Sequence, residues 1–197
     1  MKITGVEIIQ VNIPSRKVLT LSRYGRLGEG KPFEFVLARV HTDEGITGVG
    51  ECPPLPPLSP ESQPIIVDVL KNWIVPHILG MDPFETELIW EKMDFFAPTY
   101  PMAKAAIDIA LWDIKGKSLN QAVSRLMGGS SVKRFPNVAL IGIRPPNEMA
   151  TEAERLVAQG HKGLRLKIGP GSDVECVSAV REAVGDHVTI RVDCNKG

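Results

Sequence analysis

The spacing of apolar residues changes character along the chain, and each change marks a different kind of element. Residues Ile3 to Ile13 are rich in Val and Ile, and Phe33 to Thr42 alternate apolar with polar side chains. That period of two predicts half-buried strands. Asp43-Glu44-Gly45 reads as a turn into a third short strand, Ile46 to Glu51, so the three form an antiparallel meander. Between the first two strands, Pro14 to Pro32 is basic, glycine-bearing and without periodicity, which predicts a loop long enough to act as a lid. Cys52 to Pro60 carries five prolines and predicts a stiff, extended connection.

The period then lengthens. A helix starting at Ser59-Pro60 or Ser62 places Ile65, Ile66, Val69, Leu70, Trp73 and Ile74 on one face. Asp82-Pro83 opens a second, carrying Leu88, Ile89 and Met93. A third has Ala103, Ala106, Ile107, Ala110, Leu111 and Ile114 at helical spacing and stops at Gly116. A fourth runs from about Ser118 to Gly128-Gly129. Strands first and helices after predict an α+β domain over residues 1–130.

Beyond Gly129 strands and helices alternate. The run Val138 to Ile143 leads through Pro145-Pro146 to Asn147 as a helix cap, then to a helix with Met149, Ala153, Leu156 and Val157 ending at Gly160. A strand, Leu164 to Ile168, follows. Ser172 and Glu175 form a capping box for a helix with Val177, Val180 and Val184, and a last strand covers Val188 to Asp193. Two βα units of similar length predict a parallel sheet over residues 131–197, built as in a (β/α) barrel or a doubly wound fold.

Composition narrows the class. The chain has 197 residues, 43% hydrophobic and 23% charged, with 23 basic and 23 acidic side chains. A neutral balance gives no reason to expect a nucleic-acid or membrane partner. Three cysteines without CxxC spacing read as thiols of a cytosolic protein. The first residues lack a signal peptide's apolar core, and no apolar run is long enough to span a bilayer. A cytoplasmic protein is the expectation.

Candidate chemistry gathers on the last two strands. Leu164, Leu166 and Ile168 share one face while Arg165 and Lys167 share the other; Val188, Ile190 and Val192 oppose Thr189, Arg191 and Asp193. Parallel strands are usually apolar on both faces, so charges at neighbouring strand ends stand out. A solvated sheet edge would also accommodate them. The Asp193-Cys194-Asn195 sequence tips the reading toward function, because a strand-end carboxylate with an amide two residues on offers hard oxygen ligands of the kind magnesium takes. By itself the pattern also begins ordinary βα turns.

In order and spacing, Val40-His41-Thr42-Asp43-Glu44-Gly45-Ile46-Thr47-Gly48-Val49-Gly50-Glu51, Ala105 to Lys117, Leu126-Met127-Gly128-Gly129, Arg165-Leu166-Lys167 and Arg191 to Asn195 together resemble the mandelate racemase/muconate lactonizing family of the enolase superfamily, along essentially the whole chain. The resemblance implies an α+β capping domain followed by the first part of a (β/α) TIM-type barrel. It implies that Lys167 is the general base taking a proton α to a substrate carboxylate, and that Asp193, with Asn195 nearby, ligates an essential magnesium ion. The enediolate so formed needs its charge stabilised. The family commonly has lysine where Arg165 stands; arginine cannot accept a proton there but can clamp a carboxylate. Arg23 and Tyr24, in the first long loop, are the candidate substrate contacts. The substrate is a small carboxylate, and the reaction is a cycloisomerase, racemase or epimerase step, with an acid-sugar dehydratase as the alternative. Full-length relatives are often dimers or octamers, so a homo-oligomer is expected.

The chain stops at Gly197 after about three strands of a barrel's eight. The remaining acidic ligands of the family lie on later strands, so a truncated, inactive fragment or interaction module is the second alternative. Trp73, Trp90 and Trp112 are expected in the core, His41, His77, His161 and His187 at the surface or in turns, Glu51 in a structural role, and Cys194 packed.

Overall fold

The computed structural model describes every residue except Lys17, Ser22, Arg23, Tyr24, Glu29, Leu55, Pro57, Leu58, Pro170, Ser172, Lys196 and Gly197; for Leu21, Arg26 and Leu27 it describes the backbone alone. The candidate contacts Arg23 and Tyr24, and the Ser172 half of the capping box, thus lie outside the described residues. In chain order the elements are β1 (Ile3–Ile13), β2 (Leu19–Leu21), β3 (Gly25–Leu27), β4 (Phe33–Thr42), β5 (Thr47–Cys52), α1 (Gln63–Asp68), a π-helical turn (Val69–Ile74), α2 (Val75–Ile78), α3 (Thr86–Phe96), α4 (Pro101–Ser118), α5 (Val123–Leu126), β6 (Val138–Ile141), α6 (Pro146–Ala158), β7 (Gly163–Lys167), α7 (Asp173–Val184) and β8 (Thr189–Asp193). They divide into two compact units, Met1–Ile13 with Pro32–Ser131, and Pro14–Lys31 with Val132–Gly197.

In the first unit β1, β4 and β5 form the antiparallel meander, in that spatial order. Val36, Ala38 and Val40 alternate along β4 onto the buried face, which α4 covers with Ala103, Ala106, Ile107, Ala110, Leu111 and Ile114. The turn after β4 is closed by Thr42, whose hydroxyl donates to Ile46 O and accepts from Ile46 N–H at 2.8 and 3.1 Å. Gly45 sits at φ +77°, a conformation that L side chains rarely adopt. Helix α4 rests directly on the backbone of β5. A Cβ on Gly48 would fall 2.1 Å from Ala110 O, and one on Gly50 1.8 Å from Ala106 O.

Several elements depart from the sequence reading. The helix expected from Ser62 onward is α1, a π turn and α2 in succession, because Pro76 has no N–H to give the regular ladder and a wide turn absorbs the mismatch. Its buried stripe is Ile66, Val69, Leu70, Ile74 and Ile78; Ile65 and Trp73 fall beside it, and Trp73 is 45% exposed rather than in the core. Asp82-Pro83 forms a turn, with Phe84 N–H donating to Asp82 Oδ1 at 2.9 Å, and the helix begins only at Thr86. There Ile89 and Met93 are buried while Leu88 is exposed. Helix α4 continues past Gly116 to Ser118, and the expected fourth helix shrinks to Val123–Leu126. Gly116 is a packing glycine, since a Cβ there would meet Gln121 O at 3.0 Å.

Glu61 is a buried acid that sequence reasoning passed over. It is 1% exposed, and its two carboxyl oxygens accept the N–H groups of Met102 and Ala103 at 2.9 and 3.0 Å. Those are orphan donors of the first turn of α4. Glu61→Ala is expected to destabilise the first unit by about 2 kcal/mol or more, because two buried N–H groups lose their acceptor. Glu61→Gln, which keeps one acceptor, should cost clearly less. Urea denaturation of both variants checks this, and an alanine variant with an unchanged midpoint would refute the cap.

In the second unit the segment expected to be a loop holds an antiparallel hairpin, β2 with β3. Strands β6, β7 and β8 form a parallel sheet in sequential order. Helices α6 and α7 cover one of its faces, burying Ala139, Ile141, Met149, Ala153, Leu156, Leu164, Leu166, Cys176, Val180, Val184 and Val188. Asn147 is not the cap of α6: that helix starts at Pro146, and Pro145 O accepts from Glu148 and Met149 N–H at 3.0 and 3.1 Å. Proline at the first helical position carries no orphan N–H, which makes it the favoured start. Among the described residues no helix is long and apolar enough to cross a membrane.

Candidate functional site

The face of the β6–β7–β8 sheet opposite α6 and α7 carries the chemistry. In-register pairing sets Arg165 beside Arg191 and Lys167 beside Asp193. Alternation keeps Arg165 and Lys167 on the face opposite Leu164 and Leu166, which are buried under the helices. Local strand pairing thus brings together residues that lie 26 or more positions apart in the chain.

Four side chains converge there. Lys167, 7% exposed, donates from Nζ to Asp193 Oδ2 at 2.5 Å and to Asn195 Oδ1 at 2.6 Å. Arg165 donates to the same Asp193 oxygen, and its side chain remains half exposed. Asn195 turns back at φ +46°, and its N–H donates to Asp193 Oδ1 at 3.0 Å. Asparagine tolerates this left-handed conformation better than most residues. Four of the six candidate residues named from the sequence are therefore brought together, the other two being Arg23 and Tyr24.

The hydrogen bond from Lys167, followed by the backbone N–H of Asn195 and the Arg165 contact, pulls the Asp193 carboxyl down from 3.8 to about 2. Because the folded value lies below the ordinary one, the network's contribution to stability is complete above about pH 4 and fades as pH falls toward 2. Carbon-13 NMR of the Asp193 carboxyl is expected to show that midpoint. In Lys167→Met the midpoint should move up, since the largest stabilising contact is gone. An unchanged midpoint would contradict the arrangement.

As a magnesium site the donor set is right in kind and short in number. Asp193 and Asn195 offer hard oxygens at a strand end, which suits that ion. Among the described residues no three His, Cys, Asp or Glu side chains gather as a ligand cluster. Asp193 fits as one ligand of a larger set.

Other sequence candidates resolve differently. Cys194 is exposed rather than packed. Cys52 is buried, and desolvation beside Glu61 and Glu51 pushes its thiol up to about 12. His41 Nδ1 meets Thr47 Oγ1 at 3.0 Å, and His77 stacks on Phe96 with ring centroids 3.4 Å apart. Trp90 Nε1 donates to Asp108 at 2.8 Å and packs partly buried against the first core. Asp113, part of the Ala105 to Lys117 segment but given no role from the sequence, accepts Val49 N–H at 2.8 Å and so ties α4 to β5.

Comparison with known proteins gives two family matches. The family model for the mandelate racemase / muconate lactonizing enzyme N-terminal domain matches residues 4–128, and that for the enolase C-terminal domain-like family matches residues 148–197. The N-succinyl-L-Arg/Lys racemase of Bacillus cereus is 37% identical over 100% of this chain and 53% of its own length. Its crystal structure superposes with a TM-score of 0.92 at 36% identity, covering 98% of this chain and 52% of that one. The hydrophobic dipeptide epimerase of Enterococcus faecalis is 32% identical over 100% of this chain and 54% of its own. A crystal structure of dipeptide epimerase from that organism, complexed with Mg and the dipeptide L-Leu-L-Tyr, has a TM-score of 0.92 at 31% identity, covering 99% and 54% of the two chains. Chloromuconate cycloisomerase of Delftia acidovorans is 30% identical over 100% of this chain and 54% of its own. The chain spans about half the length of the curated relatives it matches. Its architecture is an α+β capping domain followed by the first part of a (β/α) barrel.

Proposed function

This chain belongs to the mandelate racemase/muconate lactonizing enzyme family, and from that premise we propose that it carries the proton-abstracting part of an isomerase acting α to a carboxylate. In this reading residues 1–130 are the capping domain and 131–197 the first βαβαβ portion of the barrel. The observation that carries it is the convergence of Lys167, Arg165, Asp193 and Asn195 on one sheet face at strand ends. Support also comes from relatives that include a racemase, an epimerase and a cycloisomerase, although a cis-3-hydroxy-L-proline dehydratase also stands among them at 31% identity.

Each residue has a distinct part. Lys167 supplies the amine that takes the α-proton, and its burial at the end of β7 fixes where that amine points. Asn195 holds Nζ from one side, while Asp193 holds it from the other. Arg165, half exposed and permanently charged, is placed to receive the substrate's carboxylate. Asp193 would contribute one oxygen to a magnesium ion, and Asn195 stands beside it. Bound there, magnesium would supply positive charge against the developing enediolate. The substrate is a small carboxylate, and the full assembly is a homo-oligomer.

The test is solvent deuterium exchange at the α-carbon, followed by proton NMR. N-succinyl-L-arginine, L-Leu-L-Tyr and muconolactone serve as probes, with magnesium, against both this chain and a longer form carrying the rest of the barrel. Exchange by the longer form and none by the 197-residue chain is the expected result, because one carboxylate does not make a magnesium site. Exchange that is equally fast without Lys167 would overturn the assignment.

A further inference from the structure

The chain leaves the first unit after Ile13, contributes the excursion Pro14–Lys31 to the second unit, and returns at Pro32. The roots of this excursion are the last rungs of the β1–β4 ladder, where Val11 pairs with Phe35, Asn12 with Glu34 and Ile13 with Phe33. Strand β5 stops short of them, since its last residue, Cys52, lies opposite Val36. The roots are thus a two-stranded ribbon, an arrangement that is marginally stable by itself. Gln63, the first residue of α1 and 6% exposed, closes it. Its Nε2 donates toward Phe35 O at 2.8 Å, Asn12 Oδ1 at 3.2 Å and Val11 O at 3.3 Å, so one buried amide joins both roots.

The far part of the excursion is docked within the second unit. Strands β2 and β3 form the hairpin, and Ile143 N–H donates to Thr20 O at 3.2 Å. A Cβ on Gly142 would fall 3.1 Å from both Leu19 Cδ1 and Thr20 N, so the hairpin lies against the backbone just past β6. That place is one residue beyond Ile141, the register partner of Leu166, at the sheet end where Lys167 lies. We propose that Gln63 is a positioning residue: by locking both roots of the excursion it keeps the β2–β3 hairpin docked at the Lys167 end of the sheet. Roots that are already ordered leave less chain freedom to be lost on docking. Freed roots would shift the hairpin toward its undocked state. Only the consequence for catalysis rests on the base role given to Lys167; the clamp itself rests on hydrogen bonds and strand register.

Amide hydrogen exchange at Ile143, followed by NMR on the whole chain, reads the docking. In the parent this N–H should be protected by its bond to Thr20 O. Gln63→Met keeps the length of the side chain and loses the donors. It is expected to speed the exchange by about tenfold or more, as loss of one or two hydrogen bonds implies. Asn12→Ala removes one exposed acceptor of the three and should speed it less. Asp113→Ala is the control, because it loosens the first unit at Val49, away from the roots, and should leave Ile143 unchanged. The same rate at Ile143 in the parent and in both root variants would overturn the clamp. So would equal acceleration by Asp113→Ala, which would make Gln63 one more contact of the first unit, or an Ile143 amide that is unprotected in the parent. The readout needs no turnover, so a failed α-proton exchange assay and a failed clamp are separate results.

Discussion

Gly50→Ala is expected to unfold the first unit, or to lower its stability by about 3 kcal/mol or more, the upper end of what overpacking a core costs. The added methyl carbon would lie 1.8 Å from Ala106 O and 2.9 Å from Ala106 C. The obstacle is backbone of α4, not the movable end of a side chain, so relief requires the whole helix to lift from β5. Lifting it would expose Ala103, Ile107, Leu111 and Ile114, all fully buried. Gly48→Ala meets the same helix one turn on, at Ala110 O, and should behave alike. Gly5→Ala is the control, because nothing lies within 4 Å of the added atom and its strand conformation suits alanine. Thermal and urea unfolding of the three variants decide the matter. A Gly50→Ala protein that melts with the parent would show that α4 does not rest on β5 as described.

Lys167→Met is expected to abolish α-proton exchange by the longer form of the protein, with a loss of roughly 10²–10⁴-fold, the usual worth of a positioned general base. Methionine keeps the length and apolar stem of lysine, so the packing of β7 survives. It removes the one atom that is both buried and able to accept a proton at this place. Asp193 retains Arg165 as a partner, and the variant should therefore fold with its sheet intact. Arg165→Met should reduce exchange while leaving some, mainly through weaker substrate binding, since Arg165 is argued to hold the carboxylate and not to move the proton. Circular dichroism confirms the fold, and the split between KM and kcat distinguishes the two residues. Exchange by Lys167→Met within an order of magnitude of the parent would place the base elsewhere.

The legibility of this protein follows from the range over which each feature is encoded. Apolar alternation on β4, the Val- and Ile-rich run of β1 and the spacing Ala103, Ala106, Ile107, Ala110 are local, so the meander and α4 could be read from neighbours in sequence. The charged faces of β7 and β8 were legible for the same reason, since a strand's alternation alone puts Arg165 with Lys167 and Arg191 with Asp193. The break in the helix at the π turn was not, because the cost of Pro76 can be met by a kink, a stop or a wide turn, and packing chooses between them. The hairpin β2–β3 lacked any long periodic run to announce it.

By itself, the sequence determined the class of each half, the register-independent pairing of charges on single strands, and the family. Only tertiary structure decided the contacts that span distant segments. It showed that Lys167 reaches Asp193 and Asn195 across the strand gap, and that Glu61 closes a helix 41 residues further along the chain. It also showed that Gly48 and Gly50 are required by a helix's backbone and not by a turn. The physical reason is common to all three. A side chain's periodicity is written in its neighbours, whereas the donor, acceptor or atom it must meet belongs to another element and is known only once the elements have packed.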